Sequence, residues 1–186
     1  GAWTTSGGAA AFAVGGGSGT ISLAPSHTRE ARLSGVSTTD AEISTNFAAD
    51  VVPAGGAMSV TVLGRIVGSS TYSSRVRLEA GGVIRVYALR NETPLGSGSV
   101  VLPATYVAGD VIHVRTDVTG TNPTTVAVKV WVGAAAEPAA WTIQATDSTA
   151  SHQAAGTLGI RAAVSASSTN AVTKLSVADF HVENGQ

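Results

Sequence analysis

The residues best suited to chemistry in this chain form no catalytic cluster. They are cations and aromatics set two residues apart: Arg75 and Arg77, Arg85 and Tyr87, His113 and Arg115, Lys129 and Trp131. Guanidinium forks bind carboxylate and sulfate groups through paired hydrogen bonds, and aromatic rings offer a sugar an apolar platform. Gathered on one surface, these eight side chains would make a shallow ligand-binding face for a polysaccharide or surface glycan, with arginine favouring an acidic polysaccharide. The bland alternative is a solvated sheet exterior, because Arg and Lys stems cover apolar area well.

The elements that must position them are strands. Between the polar positions lie Val60, Val62, Val76, Leu78, Ile84, Val86, Ile112, Val114, Val118, Val126, Val128 and Val130. A two-residue period belongs to half-buried antiparallel strands. If the strands from Val60 to Trp131 pair in chain order, the basic and aromatic residues share one continuous outer face, together with Arg65 and Asp117. The same alternation runs through Glu42 to Ala48, and strands are expected at Thr28–Val36, Leu95–Leu102, Gly159–Ala166 and Val172–Glu183. Glycine-rich punctuation at 15–19, Ala80-Gly81-Gly82, Asn91-Glu92-Thr93-Pro94 and 119–123 supplies the turns. Trp3 and Trp141 read as core or loop anchors. Helix signals are nearly absent, so the fold class is all-β: a two-sheet antiparallel sandwich.

Composition narrows the function. The 186 residues carry a formal net charge of -1, only 12% charged residues and no cysteine. One domain spanning 1–186 is expected. The lack of net basicity disfavours nucleic acid, and the absence of cysteine removes thiolate chemistry. No run of about 18 apolar residues predicts a membrane span. Sparse charge and Ser/Thr-rich strands suit a secreted or cell-surface protein. Asn91-Glu92-Thr93 is an acceptor sequence for N-linked glycosylation.

Other chemistries find little support. A glycosidase needs two carboxyls roughly 5–9.5 Å apart, and Glu42, Glu79, Asp117, Glu137, Asp147 and Asp179 form no such motif. His113 and Asp117 lie about 13 Å apart along a strand, too far for a base and its orienting acid. The histidines at 27, 113, 152 and 181 lack metal-ligand spacing. The glycine run at 15–19 is followed by no Lys-Ser/Thr and no helix, which excludes a phosphate-binding loop.

Four segments carry a family resemblance: Asp117-Val-Thr-Gly-Thr-Asn-Pro-Thr-Thr-Val-Ala-Val-Lys-Val-Trp131, Glu137-Pro-Ala-Ala-Trp141, Ala145-Thr-Asp-Ser-Thr149 and Val177-Ala-Asp-Phe-His-Val182. They resemble the laminin-G-like, concanavalin-like jelly-roll modules of actinobacterial secreted and surface proteins and of phage tails. The resemblance implies a jelly roll attached to neighbouring domains, with a non-catalytic carbohydrate-binding role. The alternative is a structural or adhesive module of a surface protein or phage virion with no small-ligand site. It also implies structural calcium near the terminal strands, with Asp179 as the metal candidate, although alanine stands at 178 where relatives often carry a second aspartate.

Overall fold

The computed structural model describes residues 2–183. In chain order the strands are β1 (Thr4–Ser6), β2 (Phe12–Gly15), β3 (Ser18–Leu23), β4 (Thr28–Thr38), β5 (Ala41–Ala49), β6 (Met58–Val67), β7 (Ser70–Leu78), β8 (Val83–Arg90), β9 (Thr93–Pro94), β10 (Val100–Thr105), β11 (Ile112–Thr119), β12 (Thr124–Val132), β13 (Ile143–Asp147), β14 (Gly156–Val164) and β15 (Thr173–Glu183). Helix among the described residues is limited to three single 3-10 turns, as expected from a chain without helical periodicity.

The strands form two antiparallel sheets. The eight-stranded sheet runs β1-β4-β14-β6-β7-β8-β10, with β9 also paired to β8. The seven-stranded sheet runs β13-β12-β11-β5-β15-β3-β2. Alternate side chains from both inner faces fill one core: Val60, Val62, Val76, Leu78, Ile84 and Val86 meet Ile43, Phe47, Ile112, Val114, Val128 and Leu175. Each fully buried aliphatic side chain contributes on the order of 1.5–3 kcal/mol. The expected all-β sandwich is what the chain forms.

Pairing does not follow chain order across the Val60–Trp131 stretch. After β10 the chain leaves the eight-stranded sheet, and β11 begins in the other one, beside β5 and β12. Tyr106 fastens this crossover. Its hydroxyl donates to the Ala49 carbonyl at 2.6 Å and accepts from the Ala49 amide at 2.8 Å. Its own amide donates to the Gly82 carbonyl at 2.7 Å. Gly82 has φ 78°, and a Cβ there would lie 2.4 Å from the Tyr106 carbonyl oxygen, so glycine is required by both dihedral and space. The strand expected over Leu95–Leu102 lies later, at Val100–Thr105. β10 is an edge strand whose pairing with β8 is irregular between Val101 and Thr105, a setting that tolerates the missing amide of Pro103.

Arg65 also departs from simple alternation. β6 is irregular between Leu63 and Arg65, which pair with Ser73 and Tyr72. The additional residue, Gly64, reverses the facing of the residues after it, as a β-bulge does. Arg65 therefore turns into the end of the sandwich, 1% exposed. Its guanidinium donates to the Thr124 hydroxyl (2.7 Å), the Gly120 carbonyl (3.0 Å), the His152 carbonyl (3.3 Å) and the Thr39 carbonyl. The expected surface arginine is a buried cross-brace between three loops.

Candidate functional site

The crossover divides the eight expected ligand-binding residues between the two outer faces. Arg75 and Arg77 on β7 and Arg85 and Tyr87 on β8 belong to the eight-stranded sheet. His113 and Arg115 on β11 and Lys129 and Trp131 on β12 belong to the seven-stranded sheet. Val76, Val86, Val114 and Val130 between them point into the shared core, so the two groups face away from each other. The single patch expected from chain-order pairing does not form.

On the seven-stranded sheet the cations are consumed locally. Arg115 pairs with Glu42 and donates to Glu137 at 3.0 Å. Lys129 lies 3.3 Å from Glu137 and 4.7 Å from the centre of the Trp141 ring. Burial first, then repulsion from Glu42 and Asp40, pushes the Asp117 carboxyl upward. The His113 ring stacks on Trp131 at 5.1 Å, with 10° between planes, which covers one indole face.

The cations of the eight-stranded sheet are paired as well, but around a hollow. Strand register sets one row across it: Glu30 on β4, Arg161 on β14, Thr61 on β6, Arg75 on β7 and Tyr87 on β8. Arg75 Nε donates to the Thr61 hydroxyl at 3.1 Å and its Nη2 to Glu92 Oε2 at 2.5 Å. Arg161 Nε donates to Glu30 Oε2 at 2.7 Å and its Nη1 to Glu92 Oε1 at 3.2 Å. Glu30 also pairs with Arg32. Burial opposes the Glu30 charge, but the Arg32 and Arg161 guanidiniums outweigh it and hold the carboxyl below its ordinary range.

A hollow of about 320 Å³ opens here, lined by Thr28, Ser59, Thr61, Arg75, Glu92, Arg161 and Ala163. Its floor is small because Ser59, Thr61 and Ala163 carry short side chains, and its walls are charged. Beside it Arg77 and Arg85 flank Glu79, at 3.2 and 3.1 Å, and the Arg85 hydrogen bond lowers the Glu79 carboxyl. Among the described residues of this face, Arg32, Arg75, Arg77, Arg85 and Arg161 outnumber Glu30, Glu79 and Glu92.

Arg161 and Glu92 escape sequence reasoning for different reasons. Arg161 lies far from Arg75 in the chain, and only the insertion of β14 between β4 and β6 brings it near. Glu92 sits on the exposed turn after the Arg85–Tyr87 strand, so its acidic type near a basic strand was the available signal.

A larger hollow of about 470 Å³ opens at the opposite sheet edges, lined by Trp3, Phe12, Val14, Ile21, Val177, Phe180 and neighbours, none of them charged. Trp3 meets Phe180 edge to face at 4.9 Å. Trp3 is 41% exposed and Val14 91% exposed, so the expected anchor closes this edge only partly. Trp141 is half-buried against Lys129.

Asp179 occupies an irregularity in β15, with φ 51°, and its Oδ2 accepts from Nδ2 of the Asn46 side chain at 2.7 Å. Among the described residues, no group of three or more His, Asp or Glu side chains gathers around a common point. Calcium takes six to eight oxygens, so an ion at Asp179 would rely on backbone carbonyls and water for nearly all of its shell.

No family model matches the chain, and no curated protein matches it. Solved structures do match in fold. The carbohydrate-binding module CBM66 from Bacillus subtilis superposes with a TM-score of 0.58 at 13% identity, over 98% of this chain and 95% of that one. A legume lectin-like domain from Entamoeba histolytica gives 0.62 at 13% identity, over 99% and 90%. An alginate lyase from Aplysia kurodai gives 0.54 at 11% identity, over 90% and 82%. The fold is the lectin-like, concanavalin-like jelly roll, and binding modules and enzymes share it.

Proposed function

We propose that this protein is a non-catalytic carbohydrate-binding module that engages a polysaccharide or surface glycan through the outer face of its eight-stranded sheet. The observation that carries this reading is the Arg75–Glu92–Arg161 cluster beside a hollow with a floor of small residues. Ion pairs fix the polar groups in advance, which lowers the ordering cost of binding. The excess of arginine over glutamate favours an acidic polysaccharide. On this face a glycosidase role is disfavoured because arginines lower the Glu30 and Glu79 carboxyls, whereas a glycosidase acid must keep its proton at working pH. Such a role suits a secreted or cell-surface protein, and the fold of CBM66 and the lectin-like domain is compatible with it.

The test is a glycan array probed with the intact domain, followed by two variants. Arg161→Ala should abolish binding, while Trp131→Ala on the opposite face should leave it unchanged. Loss in Trp131→Ala alone would move the site to the other sheet, and an array without any hit would end the reading.

One observation favours a second reading, a structural or adhesive module of a surface protein or phage tail. The apolar hollow at Trp3, Val14 and Phe180 leaves large apolar groups in water, as association surfaces do. Concentration-dependent association removed by Val14→Asp would support it. A monomer at all concentrations would count against it.

A further inference from the structure

We propose that Glu92 holds, inside the free protein, the place that a ligand carboxylate takes in the complex. Arg75 and Arg161 would then form the anion subsite for a uronic-acid unit. This rests on the glycan-binding reading and identifies the sugar class it serves.

Each arginine has an anchor of its own. Arg75 is held by Thr61 through Nε, and Arg161 by Glu30 through Nε. Glu30 is itself 7% exposed and also paired with Arg32. Neither anchor involves Glu92, so both guanidiniums keep their positions when Glu92 departs. The remaining Nη groups converge from two strands separated by β6, and Glu92 spans them with one oxygen each. A planar carboxylate with an oxygen on each of two guanidiniums is a well-matched anion arrangement.

Glu92 is the loosest member of the cluster. It lies on the short turn between β8 and β9, and its side chain is 64% exposed. Exposed ion pairs of this kind are individually weak. The hollow beside it has room for a sugar ring over Ser59 and Thr61. When a uronate enters, one carboxylate replaces another, so the charge of the cluster is conserved. A neutral sugar cannot make that exchange. Glu92 thus competes with an acidic ligand, and part of the intrinsic affinity is masked in the wild-type protein, as for any site whose competent state is only partly populated.

Titration calorimetry at low salt with three oligosaccharides of equal length tests this: an oligogalacturonate, a neutral galactan and a sulfated galactan. Glu92→Ala should bind the oligogalacturonate roughly three- to tenfold more tightly, given the modest strength of exposed ion pairs. Glu92→Asp should behave like the wild type, and Arg161→Ala should lose the uronate. Melting curves of each variant exclude misfolding. Unchanged or weaker uronate binding by Glu92→Ala overturns the inference. If the wild type then binds the neutral galactan and Arg75→Ala abolishes that binding, the glycan reading survives alone. Tightening for the sulfated sugar only overturns the carboxylate assignment. Failure of every sugar with both wild type and Glu92→Ala ends the inference and the glycan reading together.

Discussion

The hydroxyl of Tyr72 on β7 donates to Oδ1 of Asp147 on β13 at 2.6 Å, tying the end of one sheet to the end of the other. Burial works against the Asp147 charge. The Tyr72 hydroxyl, the Thr149 amide and the Arg90 guanidinium outweigh it and bring the carboxyl down to about 2. Burial first, then the bond to Asp147, lifts the Tyr72 phenol to about 12. Gln153 donates to the same hydroxyl at 2.9 Å. At neutral pH the phenol keeps its proton and the carboxylate stays ionised, so the donor and acceptor that clamp the sheets are both in the required form.

A clamp of this kind makes stability depend on pH in a defined direction. The folded Asp147 value is depressed from 3.8. Its contribution is therefore complete above about pH 4 and is lost as pH falls toward 2. Asp147→Asn should cost about 2 kcal/mol at neutral pH, lowering the melting temperature by roughly 4–8 °C, and should flatten the acid limb. Melting curves from pH 2 to 7 provide the check. Parallel limbs for variant and wild type would refute the assignment.

Gly64 and Arg65 act as one device. A Cβ at Gly64 would stand 2.4 Å from Cγ2 of Val118, a packed core side chain. Gly64→Ala should therefore disturb both the bulge and the arginine it turns inward. Arg65→Ala leaves several buried acceptors without a donor, and each such orphan costs about 1–3 kcal/mol. Denaturant unfolding should show both variants destabilised by roughly 3 kcal/mol or more. A midpoint shift below about 1 kcal/mol for Arg65→Ala would mean that the loops it braces hold themselves.

Asp117 should behave in the opposite sense. Burial and the nearby Glu42 and Asp40 raise its carboxyl, so the ionised form is a burden on the folded state at neutral pH. That burden grows as pH rises from the ordinary aspartate range through the raised folded value. Asp117→Asn should raise the melting temperature at pH 7 by a few degrees and leave it unchanged at the acid end. A lowered melting temperature at pH 7 would contradict this.

Calcium should contribute little. With one side-chain carboxylate at Asp179, already hydrogen-bonded to Asn46, we expect equal melting temperatures in chelator and in millimolar calcium. A saturable rise with calcium that Asp179→Asn removes would instead support the structural calcium implied by the family resemblance.

Local features of this fold were legible because local physics determines them. Alternation identified the inward Val76, Val86, Val114 and Val128 correctly, and the paired glycines at 81 and 82 marked a real turn with positive φ. Sheet membership was not legible. The switch of sheet at Tyr106 depends on its bond to Ala49, a contact 57 residues away in the chain. That switch split a sequence-adjacent set of cations into two faces. The same non-local pairing created the hollow between Arg75 and Arg161, since these residues meet only across β6. Arg65 misled because alternation assumes an unbroken pleat. The glycine before it was the visible hint of a bulge.

The turn that offers Glu92 has a practical consequence. Asn91, Glu92 and Thr93 are all exposed, and together they form an N-linked acceptor sequence. Asn91 uses Oδ1 to accept the Thr71 amide at 2.8 Å, and attachment at Nδ2 preserves that bond. A host that modifies such sequences would plant an oligosaccharide at the lip of the hollow lined by Arg75, Glu92 and Arg161. Bacterial material presents the surface bare, whereas yeast or insect material would carry its own resident sugar there. The choice of expression host therefore decides whether a silent binding assay reports on the domain or on its decoration.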